Sequence, residues 1–243
     1  MIDIHCHILP DIDDGASDLE ESIEMARMAW LSGVTDIAAT PHFRGEMADA
    51  ELCQNIAQRL ELLRAALRQE GIPLQLHAGA EILCLPETPE LAARRLLPTL
   101  GGTNYILTEF YFDESFAYMD DLLSEIAACG YRIVVAHPER YGVIQRSPRL
   151  LERWARLGYV LQLNKGSVLG SFGHRAENAA HDILGLGLAH LFASDAHSSH
   201  ARTPHMGALV HWAEECCDPD FTQILLTENP RRLLKGRPMA GME

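Results

Sequence analysis

The sequence predicts an α/β fold, an incomplete TIM-type barrel, on three observations. Short β-type runs alternate with helical patterns from end to end, in seven strand–helix units. That alternation implies a parallel sheet covered by helices. The candidate ligand residues also fall where strands end, and in a parallel barrel those ends share one rim. A doubly wound open sheet is the structural alternative. Strands are expected at 2–6, 36–39, 74–80, 104–108, 132–136, 159–163 and 190–193.

The helices between them carry clear punctuation. Ser17-Asp18-Leu19-Glu20 reads as a capping box, after which Leu19, Ile23, Ala26 and Trp30 share one face until Gly33 stops the helix. Leu52, Ile56, Leu60, Leu63 and Leu67 form a second apolar stripe, closed by Gly71 and Pro73. Ser147-Pro148 is a cap followed by proline at the first helical position, with the end at Gly158. Further helices are expected over 116–129, 175–186 and 205–215. With no linker, repeat or low-complexity segment, residues 1–243 are expected to form a single domain.

Composition narrows the function. The chain has 243 residues, 47% hydrophobic and 22% charged, with a formal charge of −14. An acidic chain has no basic surplus to displace counterions from phosphates, so a nucleic-acid partner is not expected. The six cysteines show no C-x-x-C spacing or disulfide framework, which suits a reducing compartment. No signal peptide or apolar span is apparent, and a cytoplasmic location is expected.

The polar outliers fall on the strand map in order. His5 and His7 end the first strand; alternate side chains share a face there, so the two imidazoles point together and Cys6 points away. Asp14 lies in the following loop, A-T-P-H puts His42 past the second strand, and A-G-A-E puts Glu81 at the end of the third. L-T-E-F places Glu109 at the fourth end, V-A-H-P-E-R places His137 at the fifth, and S-D-A-H places Asp195 and His197 after the seventh. Five histidines and four carboxylates therefore converge. A cysteine-phosphatase loop of the H-C-x5-R kind would need Arg at position 12, where Ile12 stands.

Nitrogen and oxygen ligands without thiolate suit zinc, manganese or iron. Two or three such ions offer a bridging hydroxide and a clamp for a displacement, which is machinery for hydrolysing a phosphate ester. Arg140, in H-P-E-R, and Arg202, after D-A-H-S-S-H-A, supply guanidinium forks for phosphate oxygens. Duller readings compete. Asp14 has a lesser reading as a turn cap, Glu109 as an acid orienting a histidine, Arg140 as a partner of Glu139, and Arg202 as a partner of Glu214. Asn164 is expected to pin a loop, and Tyr111, Phe112 and Phe116 either pack the core or wall an aromatic slot.

Taken together, M-I-D-I-H-C-H-I-L-P, D-D-G, A-T-P-H, the Glu81 and Glu109 strand ends, H-P-E-R and A-S-D-A-H resemble the PHP (polymerase and histidinol phosphatase) superfamily. Their order and spacing are most similar to the CpsB/CapC-type bacterial protein-tyrosine phosphatases, which are tied to capsular and exopolysaccharide synthesis. The similarity runs from residue 1 to about residue 235 and includes Q-L-N-K-G-S and E-N-P-R-R-L-L. The resemblance implies a distorted (β/α)7 barrel with three divalent ions, generally manganese. By the same resemblance His5, His7, Glu81 and Asp195 hold one ion, Glu81, Glu109 and His137 a second, and Asp14, His42 and His197 a third. It also implies that Arg140 and Arg202 bind substrate phosphate, and that the substrate is the phosphotyrosine tail of a bacterial tyrosine autokinase. The chain departs from the pattern at Cys6, at A-G-A-E-I-L and at Phe43; none of these removes a ligand. The rival readings are a histidinol-phosphate or other small phosphomonoester phosphatase, and a kinase-binding module without turnover. Association into homo-oligomers is left open.

Overall fold

The computed structural model describes residues 1–45 and 50–240, with no side-chain description for Ala50, Glu51 and Leu52. Its strands are β1 (Ile2–Cys6), β2 (Asp36–Ala39), β3 (His42–Phe43), β4 (Gln75–Ala78), β5 (Glu81–Leu83), β6 (Tyr105–Glu109), β7 (Arg132–Ala136), β8 (Val160–Asn164) and β9 (Leu191–Ala193). They pair in parallel as two sheets, ordered β1-β2-β4 and β3-β5-β6-β7-β8-β9. The fold is thus α/β with parallel sheets.

The predicted second strand, 36–39, matches β2, and the third, 74–80, contains β4; each is followed after a break by a short further strand, β3 and β5, for local reasons. Pro41 has no N–H to donate and separates β2 from β3. Gly79 separates β4 from β5: a Cβ there would lie 2.8 Å from Leu100 Cδ2 and 3.2 Å from the Ala39 carbonyl oxygen, so any larger residue would have to displace Leu100. Beyond the break the ladder changes partner, and Glu81 N donates to Pro41 O at 3.0 Å. Taking β2 with β3 and β4 with β5, seven strand positions run in order. The last meets the first through a parallel bridge between Cys6 and Ala196, flanked by His7 N to Ala196 O and Asp195 N to His5 O, both 2.9 Å.

Alternation along the strands sorts two cores. Ile2, Ile4, Ala38, Tyr105, Leu107, Val134, Ala136, Val160, Leu191 and Ala193 form one apolar cluster, joined by Leu100, Leu233 and Met239. Their neighbours Ile37, Ile106, Ile133, Val135, Leu161 and Phe192 join the helices in a second, larger cluster. On β6, β8 and β9 the first cluster's face continues toward Glu109, Gln162, Asn164 and Asp195. One end of the interior is therefore oil and the other is polar.

The first helix, Leu19–Leu31, is rotated from its predicted face. Ser22, Met25, Ala26 and Ala29 are buried, while Trp30 remains 40% exposed. The helix's cap is also one residue later than expected: Asp18 accepts from Glu21 N at 2.9 Å, and the Glu21 carboxylate reaches back to Ser17 N at 2.9 Å. In the second helix, Ala50–Gln69, the expected positions Ile56, Leu60, Leu63 and Leu67 are buried; Leu52 falls outside the described side chains. Among the described residues no helix is long and apolar enough to cross a membrane.

Candidate metal centre

The site begins with a β-bulge in β1. Ile4 and His5 together stand opposite Ala38, so the strand turns from an inward apolar side chain to an inward imidazole. His5 Nε2 and His7 Nε2 then lie 3.2 Å apart, both rings fully buried. Each ring is fixed from behind: His5 Nδ1 is 2.9 Å from Gln162 Oε1, and His7 Nδ1 is 2.7 Å from Asp13 Oδ2. Such contacts set the tautomer and aim the Nε2 lone pair inward. Cys6 points into the outer core, where burial pushes its thiol well above the ordinary range, the reverse of an activated nucleophile.

Glu81 occupies the middle. Its Oε1 is 2.8 Å from His137 Nε2 and 3.2 Å from His5 Nε2; its Oε2 is 3.2 Å from both His7 Nε2 and His42 Nδ1. Glu109 Oε1 approaches His42 Nδ1 at 3.1 Å. Asp195 Oδ1 lies 3.5 Å from His5 Nε2 and 3.5 Å from His197 Nδ1, and Asp14 Oδ1 lies 3.2 Å from His42 Nε2 and 3.6 Å from His197 Nε2. The structure brings all nine side chains together. Donor atoms within 4.8 Å of one another occur in four sets: His7, Asp14, His42 and His197; His5, His7 and Glu81; His5, His137 and Asp195; and His42, Glu81 and Glu109. These overlap the sets implied by the resemblance but place His42 beside Glu109 and His137 beside Asp195.

Buried carboxylates need positive charge. Burial would raise Glu81, yet His5, His137 and His42 hold it well below the usual carboxylate range. Against burial, which favours neutral imidazole, Glu81 and Asp195 raise His5 to about 9; contacts with Glu109 and Glu81 raise His42 to about 11. His197, by contrast, is pushed down to about 4 by burial and by the charge of His7. Protons on imidazoles balance these acids, and each marks a nitrogen that a cation could take instead, with release of the proton. Convergent nitrogen and oxygen donors of this kind fit divalent metal ions.

The two arginines reach the cluster through its other side. Asp195 Oδ2 lies 2.6 Å from Arg202 Nη2 and 3.6 Å from Arg140 Nη1, and accepts from Asn164 Nδ2. The surface partners Glu139 and Glu214 are thus passed over. Glu139 is instead buried and accepts from Asn164 N at 3.0 Å. His137, Asp195 and Arg202 all have left-handed backbones, with φ of 36°, 48° and 51°. Strain of that kind is stored where side chains must be aimed.

Asp13 and Gln162 are the residues that sequence reasoning missed. D-D-G offered two acids and only Asp14 was chosen; the alternation of Gln162 with the noted Asn164 was an available signal. Asn164 does more than pin a loop, since it holds Asp195. The three candidate slot aromatics divide. Phe116 stacks on Trp154 at 5.0 Å, Phe112 lies under Arg140, and Tyr111 is exposed.

Comparison with known proteins decides the family. The CpsB/CapC family model, described as capsular polysaccharide synthesis, matches residues 1–235. The chain belongs to the CpsB/CapC family. The tyrosine-protein phosphatase YwqE of Bacillus subtilis is 37% identical over 237 residues, 98% of this chain and 92% of that protein. The tyrosine-protein phosphatase CpsB of Streptococcus pneumoniae is 29% identical over 239 residues, 96% and 98% of the two chains. A crystal structure from work on YwqE and CpsB as metal-dependent tyrosine phosphatases superimposes with a TM-score of 0.85 at 36% identity, covering 98% of this chain and 95% of that one. More distant hydrolases share the fold alone, such as an organophosphorus hydrolase from Deinococcus radiodurans, TM-score 0.63 at 13% identity. This member of the CpsB/CapC family thus has relatives that are metal-dependent tyrosine phosphatases, and its own rim carries clustered donors able to bind metal.

Proposed function

We propose that this chain is a metal-dependent protein-tyrosine phosphatase, a phosphoric monoester hydrolase, whose substrate is the phosphotyrosine tail of a bacterial tyrosine autokinase in capsule or exopolysaccharide synthesis. The observation that carries this reading is the double-sided Asp195, with one oxygen on the histidine cluster and the other on two arginines. That arrangement puts a phosphoryl-binding fork within one carboxylate of the metal donors. We take residues 1–243 as one catalytic unit, working in the cytoplasm.

The nine donors would hold three divalent ions, manganese by preference. Ions bound there supply an activated water at neutral pH and offset the charge of the phosphoryl oxygens. The chain's own groups do the rest. Asp13 and Gln162 hold the His7 and His5 rings in the tautomers that present Nε2. Asn164 and the arginines hold Asp195 in one rotamer. Arg140 and Arg202 present planar donors to the non-bridging oxygens, while Glu139 supports the backbone at Asn164. The phenolate leaving group, with an ordinary pKa near 10, departs more readily than an alkoxide, which suits a site whose rim offers no dedicated acid among the residues singled out.

Histidinol phosphate is the rival substrate. Steady-state assays on both substrates, after chelation and re-addition of manganese, zinc or iron, separate the two. We expect no turnover without metal and at least about a tenfold higher kcat/KM for a phosphotyrosyl peptide. A preference for histidinol phosphate, or full activity after chelation, overturns the reading.

A further inference from the structure

β8 contributes none of the nine donors, yet it lies between β7, whose loop carries Arg140, and β9, whose loop carries Arg202. Its own loop brings one ring within reach of both arginines. Phe172 lies in a turn bounded by Gly170 and Gly173, which have φ of 76° and 87° and are joined by Gly173 N to Gly170 O at 3.1 Å. The Arg140 guanidinium carbon is 4.5 Å from the Phe172 ring centre, and that of Arg202 is 5.5 Å. Arg140 also lies 4.3 Å from the Phe112 ring.

We infer that Phe172 is a positioning residue that holds both phosphate-binding guanidiniums on a single ring, an inference that rests on the role given above to Arg140 and Arg202. A guanidinium stacked by its face keeps its N–H edge free. The ring therefore restrains two long side chains without consuming the donors that phosphate needs. Two like charges converge on one oxygen of Asp195, and a polarisable ring in reach of both eases their proximity. Arg202 needs the help more: Arg140 has a second ring, and Arg202 Nε is buried without a hydrogen-bond partner among the described residues.

The seat of the ring is built into the chain. A Cβ on Gly166 would stand 2.7 Å from Phe172 Cε2 and 2.9 Å from Cζ, so the glycine in N-K-G-S leaves room for the phenyl group. Ser171 N closes back onto Gly166 O at 2.7 Å, tying the turn to that seat. Gly166 and Phe172 thus act together.

The test is inorganic phosphate titrated calorimetrically into manganese-loaded protein, beside kinetics on a phosphotyrosyl peptide. Phe172→Leu keeps bulk but removes the π face; it should weaken phosphate affinity about tenfold and raise KM by a similar factor. Phe172→Tyr should stay within about threefold of wild type, and Gly166→Ala should shift in the same direction as Phe172→Leu. In an Arg140→Ala/Arg202→Ala background, Phe172→Leu should change phosphate affinity less than about twofold. Unchanged phosphate affinity in Phe172→Leu, or a full loss that persists without the arginines, overturns the inference. Failure of the wild type to hydrolyse the peptide would overturn the functional reading instead, and the phosphate titration would still decide the role of Phe172.

Discussion

The two ends of the barrel interior are made by the same strands and solve opposite problems. At one end Ile4, Leu107, Val134, Val160 and Leu191 pack with Leu100, Leu233 and Met239, and burial of apolar surface is its own reward. At the other, His5, His7, Glu81, His137 and Asp195 are equally buried, but every one carries a desolvation cost that only a charge partner can offset. The difference teaches which end stabilises the fold and which end uses that stability. A ring of buried acids and imidazoles is not a way to hold a barrel together; it persists because the apolar end and the helices already do so.

The comparison breaks most sharply in a pair of substitutions. Asp195→Asn should lower kcat/KM by at least about 10³-fold and reduce the rise in Tm that manganese gives the wild type, with the folded far-UV spectrum retained. Leu107→Ala should cost about 2–5 kcal/mol in urea unfolding yet keep the manganese-induced rise in Tm and leave kcat/KM within about threefold. If Leu107→Ala abolished the metal response, or Asp195→Asn kept it in full, the two ends would not be separate in role.

A finer test lies behind His7. Asp13 accepts from Gly15 N at 2.9 Å and His42 N at 3.0 Å as well as holding His7 Nδ1, and these contacts keep it at about 2 despite burial. Asp13→Asn offers an amide where a carboxylate fixed the tautomer, and should weaken metal binding about 10–100-fold. Competition against a chelator measures it, and a change below about threefold would remove Asp13 from the working site.

What the chain made legible follows the same division. Strand-end acids and histidines could be read because side-chain period and parallel topology fix where such residues go, and His5-x-His7 is that period in its shortest form. The choice between Asp13 and Asp14 could not be read, because it depends on the loop's return past His42, a tertiary fact. Nor could the further strands β3 and β5 be placed, since the break at Gly79 needs the position of Leu100. Helical spacing puts Trp30 on the face of Leu19 and Ala26, and the burial of Ser22, Met25 and Ala29 instead turns it outward. Phe172 carried no signal at all, because its value comes from two arginines on neighbouring loops.

The smallest expected effect sharpens the contrast between histidines. His190 precedes β9 at the apolar end, and its Nδ1 accepts from Leu161 N at 3.1 Å. Among the described residues no carboxylate compensates its burial, which depresses it to about 4, whereas His5 at the opposite end stands at about 9. Below the ordinary histidine value of 6.5 the unfolded chain takes up a proton that folded His190 refuses until about 4, so stability falls as pH drops through that window and is whole above it. Since the ring keeps some contact with solvent, about 1–2 kcal/mol should be lost between pH 7 and 5. His190→Asn keeps an acceptor near the Nδ1 position and removes the titration. In urea melts of chelated protein, its stability should decline less than the wild type's over that range by this amount. Parallel profiles would mean that the imidazole is as free to charge at the apolar end as in water, and the contrast between the two ends would rest on the acids alone.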